Sequence, residues 1–248
     1  GAGGLLFYTG ETLSGLKTIV VGNGGGGATN NPLIQGGTDN IPGSNGSNTF
    51  VSGFTTAVGG GGGGSYNSVV GSGGSGGGAG FNTTGGSGEL GPPRQGYDGG
   101  DSYTNGWGGG GGGGSGGPGY DETSTLAGNG GIGTNLVSTY GVLYGDNGYF
   151  ASGGGGSGGT RSGDPSPGTA SQGGGTRGVI SGTASDAQKH TGGGGGGAGW
   201  NNSSSLGGDG GSGVVLLSYQ YSNPQLTYNT YNKLTVANTG DTNLRLGA

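Results

Sequence analysis

The chain has no cysteine and no methionine, a single histidine, and charged side chains at only 8% of its 248 positions. Without cysteine there is no disulfide framework and no thiolate metal site, and the redox compartment cannot be read. Hydrophobic residues make up 26%, too few for a large apolar core. The longest plainly apolar stretch, Val214-Val215-Leu216-Leu217, is far short of a membrane span. The formal charge of −5 and the pI of about 4.5 disfavour nucleic acid or an anionic membrane as partner. The opening Gly1-Ala2-Gly3-Gly4 carries no signal peptide, and we read the chain as an excerpt or a processed product.

What is abundant is glycine, at 80 residues. Much of it lies in pure runs: Gly59, Gly60, Gly61, Gly62, Gly63 and Gly64; Gly108, Gly109, Gly110, Gly111, Gly112, Gly113 and Gly114; Gly192, Gly193, Gly194, Gly195, Gly196 and Gly197. Composition of this kind is that of low-complexity disorder, unless the runs share one regular conformation. An α-helix is excluded, since interior glycine costs about 1 kcal/mol per residue relative to alanine. A strand would have no side chain to bury. The remaining option is the left-handed extended helix with three residues per turn and a rise of about 3.1 Å. Its N–H and C=O groups project outward and can pair between helices whose axes only glycine lets approach. Collagen is excluded by the missing Gly-X-Y period and by only eight prolines. At that rise a seven-residue run spans roughly 22 Å, one pass through a small domain.

The expected fold is therefore irregular and all-β with no α-helix: a bundle of polyglycine II helices joined by long loops and flanked by short strands. Ordering each backbone residue costs about 1–2 kcal/mol, so nearly every interior amide must be paired. Leu5 to Tyr8 and Leu16 to Val21, about a Ser14-Gly15 turn, read as a hairpin. Thr49-Phe50-Val51 and Phe54 to Val58 are strand candidates leading into the first long run. Excursions at 79–107, 118–152, 160–172, 176–191 and 198–206 have irregular lengths, which argues against a solenoid. Val214 to Tyr221 reads as a strand, followed by a β-type tail with Leu234-Thr235-Val236 and Leu244-Arg245-Leu246. The expected boundaries are a glycine-rich domain at 1–221 and a tail at 222–248 that serves assembly.

The order of these elements carries a resemblance. A β hairpin ends in Thr18-Ile19-Val20-Val21-Gly22, hexaglycine passes follow, and the passes close on Gly210-Gly211-Ser212-Gly213-Val214-Val215-Leu216-Leu217-Ser218-Tyr219. Over about residues 1–221 this resembles the glycine-rich domain of bacteriophage tail-fibre and adhesin proteins. The resemblance implies a layered sandwich of polyglycine helices. In the long-tail-fibre tip adhesins of T-even-like phages, loops at one end of that sandwich bind host outer-membrane proteins. The opening strand that usually precedes the first glycines is absent, nothing matches a fibre-docking module, and 222–248 has no counterpart.

Catalytic chemistry has little to stand on. Gly-x-Gly-x-x-Gly matches are trivial in polyglycine, and Lys17, Lys189 and Lys233 lack the phosphate-loop context. His190 has Ser185-Asp186 close in sequence, which is thin support for a triad; a solvated loop histidine is the simpler reading. Asp98 with Asp101, Asp121 with Glu122, and Asp146 with Asn147 lack calcium-loop spacing. We therefore expect no enzyme, no cofactor and no metal. The aromatics are more informative. Tyr97, Tyr103, Trp107, Tyr120, Tyr140, Tyr144 and Tyr149 lie with Phe150 in two adjacent excursions rich in Gly, Ser, Asn and Asp. Such mixtures make recognition loops; equally, a chain poor in apolar residues needs its rings to cap the bundle.

Two functions follow. One is a receptor-binding or adhesin domain on a virion or outside the cell, taking a host surface receptor, protein or glycan, through those seven aromatics. The other is a structural subunit of a fibre, capsid decoration or filament, homo-oligomeric and joined to other subunits through glycine-rich and terminal β segments. Ice binding, a third class, needs a flat regular face that the irregular excursions do not supply.

Overall fold

The computed structural model describes residues 1–30, 41–103, 107–159, 164–175, 183–199, 205–218, 225–228 and 234–237. They fall into two units, Gly1–Val214 and Val215–Ala248.

The stretch 108–115 shows how the first unit is built. Gly109, Gly112 and Ser115 donate to the carbonyls of Ser157, Gly154 and Ala151. Gly110 and Gly113 donate to Ala79 and Gly76, while Gly111 and Gly114 donate to Tyr120 and Gly117. Gly108 completes the third set through Glu122 Oε1, at 2.7 Å. Carbonyls answer with the same spacing: Gly109 and Gly112 accept from Gly128 and Gly131, and Gly111 and Gly114 from Gly100 and Tyr97. A partner that recurs every third residue defines a helix of three residues per turn. None of these glycines has a positive φ, so the helix is left-handed. The run is ringed by 76–79, 97–100, 117–122, 128–131, 151–157 and Ala2.

The period recurs in the other described glycine passes. Gly22, Gly25 and Ala28 accept from Gly213, Gly210 and Gly207; Asn23 and Gly26 accept from Ser47 and Ser44. Gly61 and Gly64 donate to Ser75 and Gly78, and Gly194 and Gly197 to Ser152 and Gly155. Gly192, with φ of 68°, stands outside the helical conformation of its own run. The bonds connect 58–64 to 75–78, then to 108–115, 151–157, 192–197, 207–213, 22–28, 43–47 and back to 58–64. Residues 1–4 lie inside this circuit. Gly1 nitrogen donates to Gly61 oxygen at 2.9 Å, and Ala2, Gly3 and Gly4 donate to Gly113, Gly192 and Val58.

Close approach explains why the runs are glycine. A Cβ placed on Gly111 would run into the backbone of Asn129, and one on Gly62 into that of Gly43. Side chains on adjacent passes accept further N–H groups of the frame. Asn45 and Asn48 Oδ1 accept Gly62 and Gly59 N–H; Asp98 and Asp101 Oδ1 accept Gly88 and Gly85 N–H. Buried apolar residues are small: Ala2, Ala79, Ala127, Ala151, Ala184 and Ala187, with Phe150 the large exception. The hydroxyls of Ser75, Ser152 and Ser205 are buried without a partner. Cohesion thus rests on backbone pairing, each bond contributing about 1 kcal/mol net.

The strands are short pairs at the ends of passes. β1 (Ile19–Val20) pairs with β3 (Phe50–Val51), β2 (Thr29–Asn30) with β6 (Ser205–Leu206), and β4 (Thr134–Asn135) with β5 (Tyr149–Phe150), all antiparallel. The single helical element is one turn, α1 (Val137–Tyr140). The fold is irregular and all-β in its ordered strands, with no helix beyond that turn among the described residues. The expected hairpin of Leu5–Tyr8 with Leu16–Val21 does not form. Leu5 N–H instead donates to Gln95 oxygen, which continues the pass of residues 1–4, and β1 takes β3. Phe54 to Val58 contributes only a bridge, Thr49 to Ala57. Residues 214–218 contain no strand, and 219–221 lie outside the described residues. In the second unit, β7 (Gln225–Tyr228) pairs with β8 (Leu234–Ala237) in an antiparallel register of Gln225 with Ala237. The expected strand Leu244–Leu246 lies outside the described residues.

Candidate recognition surface

Alternating passes place the loops at two ends. Trp107 precedes the run 108–115, and antiparallel pairing sets Ala79 level with Gly110. The loops after Gly64, Gly80, Gly100, Glu122 and Ser157 therefore share the Trp107 end. Ser115 bonded to Ala151 marks the opposite, Phe150 end.

The predicted aromatics divide between them. Trp107 and Tyr103 lie at the first end. Tyr97, Tyr140, Tyr144 and Tyr149 lie at the second, all half-buried. Tyr120 lies mid-pass on the flank, level with Gly111, and is 65% exposed. The two excursions therefore do not converge on one surface. At the Phe150 end the rings are tied into the frame. Arg94 sits over Tyr97, 4.5 Å from the ring centroid. Tyr149 faces Asn135 in the β4–β5 pair. Burial raises the Tyr140 phenol above its ordinary value. An open depression of about 260 Å³ lies beside Tyr8, Glu11, Lys17 and Phe54.

At the Trp107 end three rings stack, one from each of three successive loops. Tyr66 lies 4.9 Å from Phe81 and Phe81 lies 4.8 Å from Trp107, centroid to centroid. Offset stacks of this spacing contribute about 0.5–1.5 kcal/mol beyond burial. Tyr103 and Val69 are exposed on the same end. The loops are pinned from below. Glu122 Oε2 accepts Tyr103 N–H at 2.9 Å while its Oε1 accepts Gly108. Burial pushes the Glu122 carboxyl up; the two N–H donors pull it partly back, and Asp164 adds to the rise.

Tyr66 and Phe81 escape a reading of the sequence because Tyr66 is a lone ring in a short stretch and Phe81 stands far from the cluster of rings that closes the 79–107 excursion. The signal available is a repeated junction, an aromatic–Asn pair closing a glycine pass: Tyr66-Asn67 and Phe81-Asn82. The other candidates stay separate. His190 Nδ1 lies 3.2 Å from Ser212 Oγ, while Asp186 Oδ1 accepts Asp209 N–H. No three His, Cys, Asp or Glu side chains converge among the described residues, and no helix there is long and apolar enough to cross a membrane.

A triplet-bonded glycine frame carrying loops at both ends defines a glycine-rich structural domain. The chain belongs to the glycine-rich domain family, whose model matches residues 1–220. No curated protein and no solved structure matches it.

Proposed function

We propose that the chain is the recognition domain of a fibre displayed on a virion or outside the cell, as the tail-fibre resemblance implies. It meets a host surface receptor with the Trp107 end. The observation that carries this reading is the Tyr66–Phe81–Trp107 stack, which sets an exposed ring on a frame bonded in three directions. A rigid scaffold with function in its loops is the usual division of labour in binding proteins. Interface energy concentrates in a few aromatic anchors, each about 2 kcal/mol or more on truncation. Tyr66→Ala and Trp107→Ala should therefore lower adsorption of the purified chain to receptor-bearing cells at least tenfold, about 1.4 kcal/mol. Tyr144→Ala, at the opposite end, should adsorb like the parent, with circular dichroism confirming the fold of each. Parental adsorption by the folded Tyr66 and Trp107 variants would reduce the stack to a cap.

The structural-subunit reading has its own observation. β7 and β8 form a two-stranded sheet with a defined register, and two strands alone are marginal in water. A further strand, from a second copy or a neighbouring subunit, would complete it.

A further inference from the structure

Tyr66 stacks on Phe81 with the planes 2° from parallel, and 46% of it is exposed. With one face covered by Phe81, that exposure belongs to the other face and the edge. The hydroxyl makes no hydrogen bond among the described residues. Asn67 and Asn82 follow the two rings directly, both exposed and both left-handed, with φ of 49° and 53°. Their side-chain amides are likewise unengaged among the described residues. The other non-glycine residues with positive φ are committed: Asn147 donates to Asp146 Oδ1, His190 contacts Ser212, and Ala151 is buried. Glycine fills many other left-handed positions in this chain, including Gly10, Gly15 and Gly53. Left-handed geometry alone therefore does not call for asparagine here.

We infer that Tyr66, Asn67 and Asn82 form a subsite for a neutral pyranose; its biological sense rests on the recognition reading above. The negative face of a phenol ring attracts polarised C–H groups, which a pyranose presents on its apolar side. A carboxamide sets a donor beside an acceptor, which matches vicinal hydroxyls that both give and take a proton. No charged residue occurs in 65–68 or 80–84, which favours an uncharged ligand. An extended peptide pairs with a run of free backbone, and these turns already commit part of theirs. Asn67 N–H donates to Phe81 oxygen, and Thr83 exchanges bonds with Ser102 through both its N–H and its C=O.

The test is saturation-transfer NMR on the intact chain with glucose, galactose, mannose, N-acetylglucosamine and N-acetylgalactosamine, each added separately. Transfer should reach the ring protons of at least one sugar. Tyr66→Ala should weaken that binding at least tenfold, about 1.4 kcal/mol. Asn67→Gly, which keeps the turn, should weaken it by a smaller factor. No transfer to any of the five, or full transfer in folded Tyr66→Ala, overturns the subsite. Adsorption to cells treated with periodate or with protease separates the two claims. Loss on Tyr66→Ala with no sensitivity to periodate sinks the saccharide and keeps recognition. Undiminished adsorption of both Tyr66→Ala and Trp107→Ala sinks recognition, and the sugar titration then decides the subsite alone.

Discussion

At the scale of single residues, neighbouring glycines of one run are not equivalent. A Cβ on Gly62 would strike the Gly43 and Ser44 backbone, whereas on Gly63 the nearest atom is 3.8 Å away. Gly63→Ala should be neutral or stabilising by about 0.4–1 kcal/mol, because alanine loses less freedom on folding. Gly62→Ala should push neighbouring helices apart and leave amides unpaired, at about 1–3 kcal/mol each. Thermal melts of the two variants check this, and equal shifts would refute the close packing. Glu122 offers a second test. Its folded carboxyl titrates above the usual glutamate value, with burial the largest cause. The folded state then holds this proton more tightly than the unfolded chain, so stability falls as pH rises from the unfolded through the folded value. Glu122→Gln should flatten that slope in melts across the acid range.

At the scale of elements, glycine runs are legible because exclusion leaves them one regular conformation, and the triplet bonding of 108–115 follows from it. Strand pairing is less legible. Ile19–Val20 looks set to pair locally, yet its partner is Phe50–Val51, more than two dozen residues on. Nothing in Leu5 to Tyr8 announces that Leu5 will bond Gln95, because that bond continues the pass of residues 1–4, whose partners all lie far off in the sequence. Density along the sequence singles out the aromatic loops, and density misleads. Alternating passes send Trp107 and Tyr144 to opposite ends and bring Tyr66, Phe81 and Trp107 together from three separate points of the sequence. The side chains that accept N–H groups from an adjacent pass are legible in principle, as asparagine or aspartate repeated at the triplet interval: Asn45 with Asn48, and Asp98 with Asp101.

At the scale of the whole molecule, the family match ends at residue 220 and the compact unit at Val214. Truncation after Tyr221 should leave the frame folded, with an unchanged melting temperature, and should abolish any assembly that depends on the β7–β8 sheet. Size-exclusion chromatography with light scattering, run beside a thermal melt, reads both. An unchanged oligomeric state in the truncated chain would count against the structural-subunit reading.

A bonding pattern that repeats every third residue carries no mark of absolute position. Sliding 108–115 by three residues would point every N–H back toward the same neighbours, so the run resembles a rack that can engage at several teeth. Its index lies at the two ends. Glu122 grips Gly108 at one end, and Ser115 Oγ meets Thr134 Oγ1 at 2.8 Å at the other. Loop residues therefore set the phase of the frame as well as decorating it. Loss of a stop would remove what tells one triplet register from the next.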